Sequence, residues 1–587
     1  MADGRPFTAG SRTDQVLGRL PHSGSQSVGT DRLETGKAEK TVYDVAVLGS
    51  GFAGSMLGAI LARGGAKVLL LDAKSHPKFA IGESTIPNML VTLRTMALRY
   101  DVPELMTLST FTGCQKIISA AHGQKIHFGF MNHQDGQPQD PRQLTMFNFP
   151  KLLLHPAAHM LRQDTDAYLY NVAVKYGCTT RTGFHADDID FDDSGVTISS
   201  ERGEQFRARY VVDASGYRSP LAAKFGLRED PCRFKHHSRA IWNHMLGVPR
   251  TDDAIRHAKA DTPPVPWYDG TVHHLFDHGW FWVIAFDNHP SSRNPLCSVG
   301  LTLDHRRYPK TPGVMPEEDF WRHVHRFPDV ARQFAGSRPV REWVATDRLQ
   351  YSSSRTVGDR WVLLAHAAAF IDPLFSRGLH NTCEAVNVLA WRILRAVRDG
   401  DFSAERFADV DSRQQALFDG NDKLVNAAYQ SFSSHELWSA VFRIWAWGSN
   451  AGTFRSLEAF RRWRKDGDDA HLMDLENVEN PGLHWSDHEG YSELFNHMVE
   501  QCDAYEAGKV TGQEAADALY DHLERAPFVP RHWGWTERDL RFINPTLGRV
   551  SKTMWWAATK APDDVRRLML GFLRESSREL VRGRRVL

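Results

Sequence analysis

The alternation of apolar and polar positions divides the chain into a patternless start, a mixed α/β stretch and a helical end. Residues 1–40 are rich in Gly, Ser, Thr and charged residues without sustained periodicity, which predicts a disordered tail. From Thr41, "TVYDVAVL" has the apolar run of a buried strand, "GSGFAGSMLGAILARGG" reads as a glycine turn leading into a helix, and "AKVLLLD" is typical of a second strand. These segments predict a βαβ unit.

Later segments extend this unit and add a second sheet. Strand-like and helix-like segments alternate to about residue 230, and "ARYVVDASG" is predicted to be a later parallel strand. Short alternating runs in residues 116–154 and 231–345, such as "HHLFDHGWFWVIAF", predict an inserted antiparallel sheet. We therefore predict an α/β module over residues 41–405, followed by a mainly helical region over residues 406–587.

Composition and charge exclude several classes of protein. Lys plus Arg and Asp plus Glu both total 71, so bulk charge does not favour nucleic acid or a membrane surface as a partner. No apolar run approaches the ~18 residues of a membrane span, and no signal-peptide pattern is present, so we expect a cytoplasmic protein. The six cysteines show no CxxC spacing and are expected to be reduced thiols rather than disulfides or zinc ligands.

A glycine motif follows the first predicted strand. Gly49, Gly51 and Gly54 form GxGxxG at the start of the helix, and Asp72 ends the next strand. The first glycine allows a tight turn, the second lets backbone amides approach a pyrophosphate, and the third lets helix and strand pack closely. An acidic residue at the end of the second strand accepts hydrogen bonds from an unphosphorylated ribose. This pattern predicts a site for FAD or NAD without separating the two.

Three later segments favour FAD. "LRQDTDAYL" carries Arg162 with Asp166 four positions on, "VVDASGYRSPLA" places Asp213 at a strand end, and "FIDPLFSRG" offers Asp372, a proline and a glycine turn ahead of a helix. In this order the segments resemble flavoprotein monooxygenases of the aromatic-hydroxylase type. That resemblance implies a Rossmann-like FAD-binding fold in which the "DP" loop reaches the isoalloxazine ring.

Three motifs make the resemblance more specific and extend it over residues 42–587. The motifs are "IGESTIP" (residues 81–87), the Trp-x-Trp-x-Ile of Trp280, Trp282 and Ile284, and "IDPLFSRG" (residues 371–378). Together they resemble flavin-dependent halogenases, and blocks such as "SHPKFAIGESTIP" and "IDPLFSRGL" are most similar to the phenylpyrrole-chlorinating branch of pyrrolnitrin biosynthesis. Antibiotic biosynthesis is therefore the expected setting.

The resemblance implies a mechanism. FADH2 arrives from a separate NAD(P)H-dependent flavin reductase and reacts with O2 to give a flavin hydroperoxide, which chloride or bromide attacks to yield a hypohalous acid. A lysine then passes the halogen to an electron-rich aromatic small molecule (a phenol, pyrrole or phenylpyrrole), either free or tethered to a carrier protein. The indoles of Trp280 and Trp282 would obstruct direct contact between flavin and arene. An ordinary buried β-strand is the alternative reading of "HGWFWVIAF".

Two lysines in "TGCQKIISAAHGQKIHFGF" are candidates for the catalytic amine. Lys116 stands where the family's lysine-bearing strand begins, whereas Lys125 lies nearer to the aromatic "HFGF" segment. The chemistry requires a cationic or nucleophilic nitrogen in a dry pocket, where polarisation of the halogen is strong. The sequence leaves both lysines open.

The remaining expected contacts are with halide and cofactor. The halide is expected at the "SRG" turn, where consecutive amides form an anion-binding nest; its residues are Ser376, Arg377, Gly378 and Leu379. The Arg377 side chain adds charge there only if it points inward. The cofactor contacts are expected to be Gly49, Gly51, Gly54, Asp72, Glu83, Ser84, Arg162, Asp213, His366, Asp372 and Gly378, with His366 standing where many relatives carry an aspartate.

Three alternatives remain at this stage. A flavin monooxygenase would hydroxylate the same kind of ring, and a flavin-binding pathway protein would hold the cofactor without turnover. The histidines of "HHLFDH", His274 and His278, invite a metal site, but no third ligand is placed by spacing, so we expect none.

Overall fold

A computed structural model describes residues 41–149 and 155–571, so the predicted tail over residues 1–40 lies outside the described residues. The strands are β1 (Val42–Leu48), β2 (Val68–Asp72), β3 (Gly123–Lys125), β4 (His127–Asn132), β5 (Leu144–Asn148), β6 (Ala157–His159), β7 (Thr179–Thr182), β8 (Asp188–Asp192), β9 (Gly195–Ser199), β10 (Gln205–Asp213), β11 (Ser238–Leu246), β12 (Thr271–Phe276), β13 (Gly279–Ala285), β14 (Leu296–Asp304), β15 (Arg338–Pro339), β16 (Val344–Thr346), β17 (Val357–Gly358), β18 (Trp361–Leu363) and β19 (Phe542–Ile543). The helices are α1 (Phe52–Arg63), α2 (Pro87–Arg99), α3 (Phe111–Gly113), α4 (Arg162–Lys175), α5 (Pro220–Lys224), α6 (Thr251–Ala254), α7 (Pro316–Val324), α8 (Pro328–Gln333), α9 (Arg377–Asp399), α10 (Ala408–Ser431), α11 (His435–Asp466), α12 (Ala470–Met473), α13 (Glu489–Glu506), α14 (Gly512–Arg525) and α15 (Leu547–Thr559).

The first sheet carries the predicted βαβ unit. Its order is β17-β18-β10-β1-β2-β7, in which β18, β10, β1, β2 and β7 run parallel to one another. At the edges β17 pairs antiparallel with β18, and β9 pairs antiparallel with β10. The strands β1 and β2 are apolar because α1 and other elements cover both faces, as in most parallel sheets. The carboxyl ends of β1, β10 and β18 therefore meet at one edge, which is where doubly wound folds bind ligands.

The second sheet runs in the order β15-β11-β14-β13-β12-β4-β5-β19, with β16 beside β11. The predicted antiparallel arrangement holds for β11 to β14 but is wrong in two places, because β12 runs parallel to β4 and β19 runs parallel to β5. Parallel neighbours need long connections, and these pairs are separated by long stretches of chain. The alternation of apolar and polar residues within one strand does not show whether its neighbour in the sheet runs parallel or antiparallel to it.

Strand β13 is buried on both faces, and its residues alternate between two cores. Trp280, Trp282 and Ile284 belong to the core shared with the first sheet. Phe281 and Val283 belong to a second core covered by α7 and α8. Because side chains alternate along a strand, every second residue of this aromatic stretch points toward the first sheet.

The region beyond residue 405 is helical, as predicted, and it packs onto the sheets. Ser434 caps α11 by accepting from the Leu437 amide, and the helix then runs for 32 residues. Thr453 of α11 donates to the Asn88 side chain of α2 (2.7 Å). Strand β19 adds to the second sheet beside β5. The boundary at residue 405 stays a prediction, since residues from both sides of it share these contacts.

Within residues 41–149 and 155–571, no helix combines the length and the apolar character that crossing a membrane requires. The cysteines are free thiols, and those at 114, 178, 297, 383 and 502 are buried.

Candidate active site

A groove of about 820 Å³ opens at the carboxyl edge of the first sheet. It is lined by the loops after β1, β2, β10 and β18 and by the start of α9. Gly49 has φ +96°, and a Cβ there would lie 2.7 Å from the Ala214 carbonyl oxygen. A Cβ at Gly54 would lie 1.9 Å from the Gly49 oxygen. The glycines thus have the conformational and packing roles that a dinucleotide turn demands, and Gly51 lines the groove.

Asp72 stands at the ribose end of this groove. Its carboxylate accepts from the Ser50 amide (2.7 Å), the Ser50 hydroxyl (2.8 Å) and the Lys74 amide (2.8 Å), and it pairs with Lys78. Burial alone would raise the pKa of Asp72, but the Lys78 ammonium outweighs it and the pKa is lowered. A charged acceptor is therefore held ready at the place where a ribose diol would bind.

Asp213 has a different place from the one predicted. Its carboxylate is fully buried and accepts from Ser215, from the Ser219 hydroxyl (2.6 Å) and from the Leu221 amide (3.2 Å). It is not among the residues that line the groove, so a direct cofactor contact of this side chain stays a prediction that the groove does not support. Asp213 instead fixes the turn after β10, and Ser215 and Gly216 of that turn do line the groove.

The groove adjoins a second cavity of about 850 Å³. Residues that line both spaces include Arg162, Tyr217, His366 and Leu379. Arg162 is held by Asp166 through two hydrogen bonds (2.9 and 3.0 Å) and by the carbonyl of Ile81 (2.5 Å). Burial, with a smaller contribution from Arg162, lowers the pKa of His366 to about 4, so this side chain is neutral at pH 7. The groove therefore continues past these shared residues into the second cavity.

The second cavity, termed the central cavity below, lies between the two sheets. Its walls are mainly apolar with a few polar groups, as expected of a site for an aromatic ligand. Its lining includes Ala80, Ile81, Glu83, Ser84, Ala240, Trp242, Thr271, His273, Trp280, Trp282, Ile284, Leu349, Tyr351, Phe370, Asp372, Pro373, Ser376, Gly378 and Leu379. The three sequence motifs, which are spread over residues 81–378, therefore converge on one space.

Both indoles of β13 form a wall of the central cavity, and each is fixed in place. Trp280 donates to the Tyr429 hydroxyl (2.8 Å), which donates in turn to Asp372 (3.0 Å). Trp282 donates to Ser298 (3.2 Å), and its ring covers Gly300 on β14, where a Cβ would lie only 2.1 Å from the ring. The two ring centroids are 5.7 Å apart. This part of the wall is rigid because both indole N–H groups are bonded and both rings are packed.

Lys125 is fully buried at the end of β3. Its Nζ donates to Ser84 Oγ (2.7 Å) and Ser376 Oγ (3.3 Å), both of which line the central cavity, and lies 3.5 Å from the centroid of the Phe128 ring. Among the described residues no carboxylate lies within 4.0 Å of this nitrogen. Burial lowers the pKa of Lys125 well below its ordinary value of 10.5, which favours the neutral amine.

Lys116 is exposed and does not line the central cavity. It lies on a π-helical turn, Cys114–Ile118, rather than at the start of a strand. The predicted strand is therefore wrong for Lys116, and its environment lacks the dry pocket that the chemistry requires. Lys125 does lie on a strand, but on one that pairs with β6 outside the second sheet.

Glu83 and Ser84, predicted as cofactor contacts, line the central cavity instead of the dinucleotide groove. The Glu83 carboxylate lies 2.7 Å from His244 Nε2 and accepts from Ser298 (3.0 Å). Ser84 accepts from Lys125. Spacing gave no sign of His244 or Ser298, which are 161 and 215 residues from Glu83.

The "SRG" turn presents the start of α9 to the central cavity. Ser376 has φ +54°, in the left-handed region, and the helix follows without an acidic residue in its first turn. The N–H groups that begin a helix lack intrahelical partners and attract anions. Ser376, Gly378 and Leu379 line the central cavity, but Arg377 is buried against a different cavity. The Arg377 side chain therefore does not point into the central cavity, and it is not a solvated arginine either, because it is buried.

The two histidines considered as metal ligands have other partners. His274 lies 3.0 Å from His133, and His278 is held by Asp277 (2.7 Å) and Glu506 (3.0 Å). In the stretches that the structure describes, no cluster of three or more potential ligands is found.

The groove has the glycine turn and acidic residue of a dinucleotide-binding site, and it opens into an apolar cavity with paired indoles and a buried amine nearby. Residues 42–262 match the family described as FAD binding domain. The chain is 50% identical over 527 residues to tetracycline 7-halogenase of Kitasatospora aureofaciens, which covers 90% of this chain and 95% of that protein. It is 42% identical over 551 residues to monodechloroaminopyrrolnitrin halogenase PrnC of Pseudomonas fluorescens, covering 92% and 95%.

The fold agrees with these relatives. The crystal structure of halogenase PltM in complex with phloroglucinol and FAD has a TM-score of 0.81 and 32% identity, covering 85% of this chain and 99% of that one. The chain therefore belongs to the flavin-dependent halogenases. The family, the enzyme class and the FAD cofactor predicted from the sequence motifs are confirmed.

Proposed function

We propose that this halogenase acts on a free, electron-rich phenol and uses Lys125 to deliver the halogen. The observation that carries the proposal is the buried amine of Lys125, held by the same two hydroxyl groups that line the central cavity. Halogen transferred as an electrophile needs an electron-rich ring. The relative at 50% identity is named for tetracycline, and PltM was crystallised with phloroglucinol, so phenols rank ahead of pyrroles.

A free substrate is favoured over a carrier-bound one by the same comparison. Relatives named for carrier-tethered pyrroles are 24% identical to this chain, far below the two relatives named for small molecules. The central cavity, at about 850 Å³, is large enough to hold a multi-ring phenol.

Each part of the site has a separate role in the proposed halogenation. FAD, when bound and reduced, would give two electrons to O2, so that one oxygen atom leaves as water and the other takes two electrons from the halide to form a hypohalous acid. The first amides of α9 hold the halide at the junction of the two cavities. Trp280 and Trp282 keep the arene away from the flavin. The neutral nitrogen of Lys125 either takes the halogen from the hypohalous acid, with cleavage of the oxygen–halogen bond and release of water, or donates a hydrogen bond that makes the halogen of the acid more electrophilic. The ring loses a proton as the carbon–halogen bond forms.

We further propose a separate NAD(P)H-dependent flavin reductase as partner, and a cytoplasmic location. FAD would fill the groove at Gly49, so the nicotinamide cofactor is assigned to another protein. A supply of NAD(P)H and unpaired cysteines both suit the cytoplasm.

The assay uses the purified full chain with FAD, a flavin reductase, NADH, O2 and bromide against a panel of phenols and pyrroles. We expect a product with the bromine isotope doublet, with phenols converted faster than pyrroles. A gain of one oxygen would make the protein a hydroxylase. Normal NADH oxidation without any modified product would make it a flavin-binding protein without turnover.

Replacing one indole tests whether this wall keeps the arene away from the flavin. In Trp282→Ala the space over Gly300 opens and the arene can approach the flavin, so we expect the ratio of hydroxylated to halogenated product to rise roughly tenfold, or about 1.4 kcal/mol in relative barriers. Phe281→Leu is the matched control, because Phe281 lies on the opposite face of β13. An unchanged ratio in folded Trp282→Ala would remove the indole from this role.

A further inference from the structure

A cavity of about 60 Å³ lies behind the "SRG" turn, on the side away from the central cavity. It is bounded by α2, α9, α10, α11 and the segment 481–486. Its lining is polar and includes Arg377, His380, Glu384, Arg413 and His484. This space is large enough for a small ion with water, and too small for a cofactor.

Several polar atoms in these walls have no partner in the described chain. Buried nitrogens without a hydrogen bond are found on Arg377 (Nε), His380 (Nδ1), Arg413 (Nε) and His484 (Nε2). Arg377 is the most unusual of these, because the residue is only 3% exposed and its guanidinium makes no hydrogen bond and no ion pair within the described residues. A buried guanidinium without an acceptor is costly, so something must lie against it.

The charges around the cavity do not cancel. Two charged side chains of the lining have ion-pair partners that do not line the cavity: Arg455 pairs with Asp487 (2.5 Å), and Glu476 pairs with Arg392 (2.6 Å). The charges of Arg455 and Glu476 are therefore balanced by these partners. The charged residues of the lining that remain are Arg377, Arg413 and Glu384. Glu384 lies 3.9 Å from Arg413 and is not within 4.0 Å of Arg377.

The histidines add no charge at neutral pH. Burial lowers the pKa of His380, and it lowers the pKa of His484 well below the ordinary value. Burial works against ionisation of Glu384, but His380 when it is protonated, together with the Arg413 and Arg377 guanidiniums, outweighs it and the pKa of Glu384 is lowered, so Glu384 carries a negative charge. Two cations therefore face one anion, and the amino end of α9 adds further positive potential.

From this geometry we propose that a halide ion binds in the cavity behind the turn, against the Arg377 guanidinium and between His380 and His484. One negative charge balances the remaining positive charge, and the cavity volume suits a monatomic anion. This site goes beyond the proposed function, because Arg377 points away from the space where halide and arene would react. A halide bound at this site would fix the side chain of Arg377, which directly follows Ser376 and its left-handed backbone conformation.

The test is anomalous diffraction from crystals of the full chain grown in bromide at the concentration that saturates halogenation. We expect a bromide peak at the Arg377 guanidinium in the wild-type protein and in Arg377→Lys, and none in Arg377→Gln. The control is Arg395→Gln, which removes an exposed arginine of the same helix and should retain the peak. A peak at the first amides of α9 reports separately on the halide site of the proposed function.

Thermal unfolding provides a second measurement in solution. At equal ionic strength, sodium bromide should raise the Tm of the wild-type chain and of Arg395→Gln relative to sodium gluconate, and this increment should be smaller in Arg377→Gln, which keeps only the halide site at the first amides of α9. Two diffraction results would overturn the inference: density for water alone at Arg377, or a bromide peak that forms only at molar bromide and so marks an adventitious ion only. An increase in Tm with bromide that is equal in Arg377→Gln and the wild-type chain would also overturn it.

Discussion

Lys125→Met lowers the halogenation rate by more than about 100-fold while FAD binding stays unchanged. The amine is the only group of Lys125 that reaches the hydroxyls of the central cavity, and methionine retains the length of the side chain without a nitrogen. Loss of a group that acts on the reacting atoms typically costs two to four powers of ten. The measurement is the rate of product formation at saturating bromide, with FAD affinity determined by fluorescence.

Stability provides a check on the folded state of this variant. The folded pKa of Lys125 lies below its unfolded value, so the unfolded chain binds more protons as the pH falls below about 10.5 and stability is lost toward neutral pH. Lys125→Met removes this loss and should raise the Tm at pH 7, with the difference narrowing as the pH approaches 10. Lys116→Met is the control and should keep full activity. Inactivity of Lys116→Met together with an active Lys125→Met would reverse the assignment.

Gly54→Ala should abolish FAD binding, with a loss of affinity greater than about 100-fold. The added Cβ would lie 1.9 Å from the Gly49 oxygen and 3.1 Å from a methyl group of Val47, so the helix α1 must move away from the glycine turn. That movement displaces the amides that would hold the pyrophosphate. Titration of the purified variant with FAD gives the affinity, and thermal unfolding gives the accompanying loss of stability.

Gly58→Ala on the same helix separates this effect from a general effect of alanine in α1. The nearest atom to its Cβ would be the Cys178 sulfur at 3.3 Å, away from the turn. We expect Gly58→Ala to bind FAD within about threefold of wild type, which is a change of less than 1 kcal/mol. Equal losses in the two variants would contradict a specific role for Gly54.

The nucleotide half of the fold could be predicted because its signals are local. The strand, glycine turn, helix and acid of residues 42–72 are contiguous, and each glycine has a steric reason that holds in any protein of this fold. Two halogenase motifs also met their expected surroundings: the indoles line the central cavity, and the start of α9 faces it.

What the sequence could not predict depends on contacts between distant segments. Asp213 ends a strand near the groove, yet its carboxylate faces its own turn. Lys116 and Lys125 are nine residues apart in similar sequence, and only the packing of β3 against β6 buries one of them. Tyr429, which holds Trp280, lies 149 residues away from it in a helix without a recognisable motif.

The pairing of β19 with β5 has a consequence for how this chain is made. Residues 146 and 147 meet residues 542 and 543, so the edge of the second sheet stays open until the ribosome has released residues 542 and 543. An open edge on an apolar sheet invites pairing with other nascent chains. Fragments that stop before residue 540 should therefore aggregate during expression, and chaperones that shield strand edges should improve the yield of the intact enzyme.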